Sequence, residues 1–243
     1  MNAEPQVSFI VPVYNEEQNI ARFLKNLHSV LEAHPEWNWE LIVIEDGSSD
    51  GTRKVMVEET QKYPRIQVIL HEQNQGYTVS LKDGIAKARG KYLMYVGAEE
   101  FDCFELPSFM NLLLNHDGDH ADIVLGVRWQ RNAYELSRFF LSVIYIFLLN
   151  YMFKLRVNDY NWSQAWPREL FERVSLRSKS LFVLPEIIIR AHDLNYKIKE
   201  IPSNHRGRQA GKSSVNFKIM GRALMDAFSF WRYRKSAGYS PTK

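Results

Sequence analysis

The first half of the chain alternates short apolar runs with stretches in which apolar residues recur every three or four positions. Val7–Val13 (VSFIVPV) is a β-branched run typical of strands buried on both faces of a parallel sheet. From Glu16 to Leu31 the apolar residues share one helical face. Further strands are predicted at Leu41–Ile44, Ile66–Leu70 and Lys91–Val96, with helices from Thr52 and over about 77–89. This alternation predicts βαβ units, and therefore an α/β fold with an open, mostly parallel sheet flanked by helices.

The second half of the chain is less regular. Ala121–Gly126 predicts one more strand. Phe139–Phe153 is an apolar run of about fifteen residues, shorter than the ~20 that a helix needs to cross a bilayer. It is interpreted either as a helix buried between the sheet and the C-terminal segment or as one that contacts the membrane interface. Phe217–Lys235 predicts a basic amphipathic helix, which packing onto the core and membrane contact explain equally well.

Charge is distributed unevenly along the 243 residues. Residues 1–120 carry 10 Lys and Arg against 19 Asp and Glu, whereas residues 121–243 carry 21 against 9. The second half is therefore expected to contact something anionic, such as an acidic lipid or a phosphorylated substrate. A nucleic-acid partner is not expected, because no helix-turn-helix, RNP-like or zinc pattern appears. The single cysteine, Cys103, excludes a disulfide framework and a zinc site built on several thiolates.

Three polar clusters follow predicted strands. They are Pro12-Val13-Tyr14-Asn15-Glu16, the stretch Glu45-Asp46-Gly47-Ser48-Ser49-Asp50-Gly51-Thr52, and Gly97-Ala98-Glu99-Glu100. In an open parallel sheet, ligands bind beyond the carboxyl ends of the strands, so these clusters predict a binding site there. The second cluster is also a helix-capping turn, whatever else it does. Neither a G-x-G-x-x-G nor a Walker A sequence occurs, so dinucleotide-binding and P-loop sites are excluded.

Three stretches of the first half carry a resemblance to a known family: V-S-F-I-V-P-V-Y-N-E-E-Q-N-I (7–20), I-E-D-G-S-S-D-G-T (44–52) and N-Q-G (74–76). They resemble the family 2 inverting glycosyltransferases, whose GT-A fold holds a nucleoside-diphosphate sugar on its first strands. The second half resembles the polyprenyl-phosphate branch of that family, which includes the dolichol-phosphate mannose synthases. Its matching stretches are G-V-R (126–128), S-R (137–138), V-N-D (157–159), P-E-I-I-I-R-A (185–191), Y-K-I-K-E-I-P (196–202) and H-R-G-R-Q-A-G-K-S-S (205–214).

The resemblance implies a nucleotide site in the first half. Pro12, Tyr14 and Glu16 would border the nucleobase and ribose, and Asp46 would accept hydrogen bonds from either. Carboxylates suit this role because each can accept two donors. Glu99, in the third cluster, would complete the nucleotide site.

The resemblance also assigns basic residues of the second half. Arg128 and Arg138 would hold the acceptor phosphate, because a guanidinium fork matches a phosphate better than an ammonium does. Arg208 and Lys212 would close over the donor diphosphate and stabilise the charge that develops on the leaving group. If the acceptor were a sugar hydroxyl, a base would be needed, and Asp159 is the catalytic candidate for it, with Glu186 as the other.

The sequence departs from the family where a metal is expected. The family carries Asp-x-Asp after the fourth strand, commonly with a Gln two residues later, but these positions here read Gly97, Glu99 and Phe101. Mg²⁺ and Mn²⁺ need hard oxygen ligands. Glu99 alone stays in register, and Glu100 or Asp102 could replace the others only if the loop took another path. The resemblance therefore implies a weak divalent-metal site.

The leading interpretation is an inverting glycosyltransferase that moves a sugar from a nucleoside-diphosphate sugar to a lipid-linked or other phosphate acceptor. The alternatives are transfer to a sugar hydroxyl and a catalytically silent relative that binds nucleotide or a partner protein. We expect one domain over 1–215, with a nucleotide-binding half (1–120) and an acceptor-binding half (121–215), and a basic amphipathic helix and tail over 216–243. The start of the chain lacks the features of a signal peptide, which favours a cytoplasmic setting, at the inner face of the membrane for a lipid acceptor.

Overall fold

One seven-stranded sheet runs through the protein. The structure is a computed structural model, and it describes residues 4–63, 65–98, 101–114, 120–129, 136–204, 217–236 and 238–242. The strands are β1 (Val7–Val13), β2 (Trp39–Glu45), β3 (Ile66–Leu70), β4 (Tyr92–Tyr95), β5 (Ile123–Arg128), β6 (Gln164–Pro167) and β7 (Ile198–Ser203). Their order across the sheet is β3-β2-β1-β4-β6-β5-β7. The sheet joins both halves of the chain, since β4 of the first half pairs with β6 of the second.

The part of the sheet that the first half of the chain forms is parallel. β1 pairs in parallel with β2 on one side and with β4 on the other, and β3 continues the parallel arrangement beyond β2. The strands at the centre are covered on both faces, which explains why β1 and β2 are almost continuously apolar and buried. Consequently the polar residues that follow β1, β2, β3 and β4 all emerge at the same edge of the sheet.

The sequence did not predict β6, which is the antiparallel strand of the sheet. It pairs antiparallel with β4 and with β5, and Ala165 lies opposite both Met94 and Val124. Its four residues Gln164–Pro167 are all buried, so it is a short central strand whose pairing is specified by its neighbours. Beyond it, β5 and β7 pair in parallel. The prediction of an open, mostly parallel sheet is confirmed.

Helices cover both faces of the sheet. They are α1 (Ile20–Glu32), α2 (Thr52–Thr60), α3 (Tyr77–Lys87), α4 (Leu106–Leu114), α5 (Leu136–Phe153), α6 (Arg168–Arg173), α7 (Val183–Asp193) and α8 (Phe217–Arg234), with a short 3-10 helix at Cys103–Glu105. One apolar core lies between the sheet and α1, α2 and α4. The other lies between the sheet and α3, α5, α7 and α8. The helical prediction for the run 139–153 is confirmed. Within the described ranges, no helix is both long enough and apolar enough to cross a membrane.

Candidate functional site at the carboxyl edge of the sheet

The loops after β1 and β2 are joined by hydrogen bonds. The backbone N–H of Asn15 donates to Ser48 Oγ at 3.0 Å, and the N–H of Ser49 donates to Asn15 Oδ1 at 2.9 Å. Asn15 and Gly47 both adopt positive φ, at 55° and 65°. A side chain at Gly47 would meet the backbone of Gln73, so this position also needs glycine for space. The two loops therefore form one rigid unit at the sheet edge.

Three of the predicted nucleotide-binding residues lie on this unit. Pro12 is half-buried at the end of β1, and Tyr14 just beyond it is 41% exposed. Glu16 is half-buried, and its backbone N–H donates to Thr52 Oγ1 at 2.7 Å. Its carboxylate accepts from Asn19 Nδ2 at 2.8 Å. The edge thus offers an exposed aromatic ring beside a carboxylate whose position is fixed.

Asp46 lies deeper than its position at a strand end suggested. It is only 2% exposed. Its Oδ1 accepts the N–H of Gln75 and its Oδ2 the N–H of Gly76, both at 2.9 Å. In this structure the carboxylate therefore holds the 74–76 loop against the end of β2. A ligand at Asp46 would meet a carboxylate that already accepts two backbone amides.

His71, which sequence reasoning missed, orients Asp46 from the other side. It follows β3 and is 6% exposed, with Nδ1 at 2.8 Å from Asp46 Oδ1 and Nε2 at 3.0 Å from Asp83 Oδ2. Carboxylates only accept, so both hydrogen bonds form when both ring nitrogens carry a proton. The only signal in the sequence is a histidine directly after a predicted strand, which is weak because the partner at Asp83 comes from the middle of α3.

Glu45 supports the same loops from beneath. Its side chain is fully buried, and it accepts the N–H of Ser48 and the Nε of Arg53, each at 2.6 Å. Arg53 also donates to the backbone carbonyl of His71. Burial of Glu45 is therefore compensated by an ion pair, and that pair links the ends of β2 and β3 to α2.

On the other side of the edge, Arg128 and Asp159 form a buried ion pair. Arg128 ends β5, and its Nε and Nη2 donate to the two carboxylate oxygens of Asp159 at 2.7 and 2.8 Å. The side chains are 11% and 1% exposed. The guanidinium also lies over the ring of Trp162, 5.0 Å from its centroid. The structure thus brings together a predicted acceptor-binding residue and the predicted catalytic base, and each serves as the other's partner.

Glu186, the other candidate base, also forms an ion pair. It is fully buried in the first turn of α7. It accepts Nε of Arg190 at 3.0 Å and the N–H of Ser178 at 2.7 Å. Its surroundings are those of a carboxylate that anchors a loop to a helix. Its candidacy as a base therefore finds no support in the structure.

The acidic loop after β4 is described in part. Phe101 is 5% exposed and packs edge-on against Phe109 in the core, so its side chain points away from the sheet edge. Asp102 accepts the N–H of Phe104 at 3.2 Å and caps the 3-10 helix. Among the described residues, no three His, Cys, Asp or Glu side chains form a group that could hold a metal. Glu99 and Glu100 lie outside the described residues, and the described part of the loop does not fit a metal site.

The structure does not describe the side chains of the other predicted basic residues. Arg138 lies in the first turn of α5, and its side chain is outside the described residues. Arg208 and Lys212 lie wholly outside them, in the stretch 205–216. Their roles at the acceptor phosphate and the leaving group therefore stay predictions.

An open, mostly parallel sheet with one antiparallel strand and polar loops at its carboxyl edge matches the GT-A fold of glycosyltransferase structures. The chain belongs to glycosyl transferase family 2, which matches residues 8–234. A dodecaprenyl-phosphate galacturonate synthase of Rhizobium johnstonii is 24% identical, and the alignment covers 96% of this chain and 70% of that protein. A dolichyl-phosphate beta-glucosyltransferase of Trichomonas vaginalis is 27% identical, with 89% and 71% covered.

The same fold occurs in a solved structure of glucosyl-3-phosphoglycerate synthase from Mycobacterium tuberculosis. That protein was crystallised with Mn²⁺, UDP and glucosyl-3-phosphoglycerate. The TM-score is 0.68 at 18% identity, and the match covers 96% of this chain and 82% of that one. At this identity the likeness supports the fold, and the resemblance to family 2 glycosyltransferases predicted from the sequence is confirmed.

Proposed function

We propose that this protein transfers a sugar, with inversion, from a nucleoside-diphosphate sugar to a polyprenyl phosphate. The observation that carries the choice of acceptor is that both candidate bases, Asp159 and Glu186, are held in buried ion pairs with arginines. A sugar hydroxyl would need a base. A phosphate is ionised at neutral pH and needs none. The two relatives named above, which act on dodecaprenyl and dolichyl phosphates by name, support the same choice.

In this proposal the rigid edge formed by the loops after β1 and β2 binds the nucleotide. Tyr14 offers a ring face, and Glu16 and Asp46 offer acceptor oxygens. Asp46 is held in place by two backbone amides and by His71. A site that is already ordered loses little conformational entropy when the nucleotide binds. Positioning of the two substrates then supplies much of the rate enhancement.

Arg128 would hold the acceptor phosphate in the orientation that Asp159 imposes. A guanidinium fixed by two hydrogen bonds and by the Trp162 ring presents its charge in one direction. Arg138 would be the second cation at the phosphate. Arg208 and Lys212 would neutralise the charge on the departing nucleoside diphosphate. A divalent metal, with Glu99 as its one ligand in register, would contribute weakly.

A donor and acceptor screen tests this proposal. The protein would be incubated with UDP- and GDP-sugars and a short-chain isoprenyl phosphate, with the matching isoprenyl alcohol as control. We expect a glycosyl phosphate product from the phosphate and none from the alcohol. Transfer to the alcohol or to a sugar hydroxyl would refute the choice of acceptor. Nucleotide binding by calorimetry with no transfer to any acceptor would instead support the catalytically silent relative.

The same proposal places the protein at the cytoplasmic face of a membrane, where a nucleotide sugar and a lipid phosphate meet. This localisation rests on the acceptor, since the lipid tail stays in the bilayer. Co-fractionation of the tagged protein with membranes at low salt, and its absence from the surface of intact cells, would agree with it. Recovery outside the cytoplasm would contradict it.

A further inference from the structure

Most of the large apolar side chains exposed by the described residues lie on two neighbouring helices. On α5 they are Phe139, Phe140, Val143, Ile144, Phe147 and Tyr151, and on α8 they are Met225 and Phe228. We call this surface the α5–α8 face. Phe147 is 67% exposed and Tyr151 is 78% exposed. Elsewhere in the described residues the exposed large apolar side chains are scattered singly, at Tyr14, Leu70, Phe104 and Trp129.

The α5 helix is apolar on both of its sides. Tyr145, Leu149 and Phe153 point into the core beside the sheet. Positions 140, 144, 147 and 151 recur at helical spacing on the opposite side and are exposed. A helix that is apolar all round is normally enclosed. Eight of the exposed large apolar side chains thus lie on these two helices, whereas exposed apolar residues on an ordinary soluble protein are mostly scattered singly.

In the part of the chain that the structure describes, the exposed charged side chains on these two helices are all cationic. The described side chains of α5 carry no charge. The exposed charged residues of α8 are Lys218, Arg222 and Arg232, and the exposed Lys235 directly follows the helix. The single acidic residue of α8, Asp226, turns away to accept hydrogen bonds from Ser178 and Ser180. A broad apolar face with a cationic border complements a surface that is apolar inside and anionic at its boundary.

We infer that the α5–α8 face lies in the interfacial layer of an anionic membrane leaflet, with α5 parallel to the membrane plane. The exposed side chains run along the length of α5, which fits a helix lying on the bilayer rather than one crossing it. A second copy of the chain would bring two cationic borders together, so it fits this face less well. The inference extends the proposed function, because α5 begins eight residues after Arg128. Docking would therefore bring the acceptor-binding edge close to lipid headgroups.

Vesicle flotation tests the inference with the full chain. The probes are vesicles of phosphatidylcholine, with or without phosphatidylglycerol, at low and high salt. The double variant Ile144→Gln/Phe147→Gln should lower vesicle binding at least about ten-fold, because each exposed apolar side chain would contribute by burial. Arg222→Gln/Arg232→Gln should lower binding to anionic vesicles by roughly five-fold per charge at low salt, and much less at high salt. The matched control is Phe104→Gln, which is 64% exposed on the other side of the sheet and should bind as the wild type does.

Several results would overturn the inference. The α5 double variant could float as well as the wild type, or Phe104→Gln could lose binding to the same extent. The wild type could also fail to float and run as a dimer in light scattering that the α5 variant dissociates, and a second copy would then cover the face. All substituted side chains are exposed, so thermal melts by circular dichroism should match the wild type.

A transfer assay without vesicles, on a short-chain isoprenyl phosphate, separates this inference from the proposed function. If the wild type floats as expected but transfers no sugar, the proposed function fails and the membrane-binding face stands. If it transfers sugar to the short-chain acceptor but ignores vesicles, the inference fails and the proposed function stands. The α5 double variant should keep full activity on the short-chain acceptor.

Discussion

Replacing Asp159 by alanine should cost this protein mainly stability. Asp159 is 1% exposed and pairs with Arg128 through two hydrogen bonds of 2.7 and 2.8 Å. It also accepts the N–H of Asn161 at 3.2 Å. The variant removes the carboxylate that accepts both of these hydrogen bonds from the Arg128 guanidinium, which is 11% exposed. Removing one partner of a buried pair typically costs about 3–5 kcal/mol, against a total stability of about 5–15 kcal/mol for a domain.

Urea unfolding measures this cost. The free energy of unfolding falls by about 1–3 kcal/mol per molar urea, so the midpoint of the variant should fall by roughly 2 M. Asp159→Asn, which keeps the shape and one acceptor oxygen, should lose less. In the double variant Asp159→Leu/Arg128→Met the losses should not add, because both charges of the ion pair are removed together.

The competing hypothesis is that Asp159 acts as a general base. Asp159→Ala would then unfold within about 0.5 kcal/mol of the wild type, as ordinary surface substitutions do. Turnover would fall by about 10²–10⁴-fold. That pair of results would refute the structural role argued above and would return Asp159 to the catalytic residues.

Three further predictions concern the sheet edge and its surroundings. Asp46→Ala should weaken nucleoside-diphosphate binding in calorimetry by roughly 1.5–3 kcal/mol, and it should also lower Tm because two backbone amides lose their acceptor; unchanged affinity would remove Asp46 from the site. Arg208→Ala should lower turnover more than Glu99→Ala does. Chelator treatment should leave most of the transferase activity, whereas full loss of activity that Mn²⁺ restores would show a competent metal site. Burial raises the pKa of the Glu105 carboxyl, so its folded state binds the proton more tightly than the unfolded chain does. The stability of the wild type relative to Glu105→Gln should therefore rise as the pH falls from neutral through that raised pKa, and a constant difference in urea midpoint would contradict this.

The local pattern of apolar and polar residues predicted those helices and strands whose conformation depends mainly on their own sequence. β1 and β3 begin and end at the predicted residues Val7–Val13 and Ile66–Leu70. The helix over the apolar run 139–153 is three residues longer at its start than the run itself. Strands covered on both faces are apolar throughout, and polar residues mark where they end. The grouping of the polar loops at one edge of the sheet followed from the same rule, because the ends of parallel strands meet.

Pairing between distant segments was decided by the tertiary structure alone. The four residues of β6 are too few to show a strand pattern in the sequence. They form a strand because they pair with β4 on one side and with β5 on the other. Asp159 has the residue type of a base, but a partner 31 positions away in sequence gives it the role of a counterion. His71 gains its role from Asp46 and Asp83, which lie 25 and 12 positions away.

The tertiary structure also determined which side of α5 faces the core. Both sides of α5 are apolar, so its sequence predicted a helix without indicating which side is covered. The sequence of this protein thus determined where its chain is extended, helical or polar, because those preferences act over a few residues. The tertiary structure decided which charges neutralise each other and which apolar side of α5 stays exposed, because both depend on segments that meet only after the chain has folded.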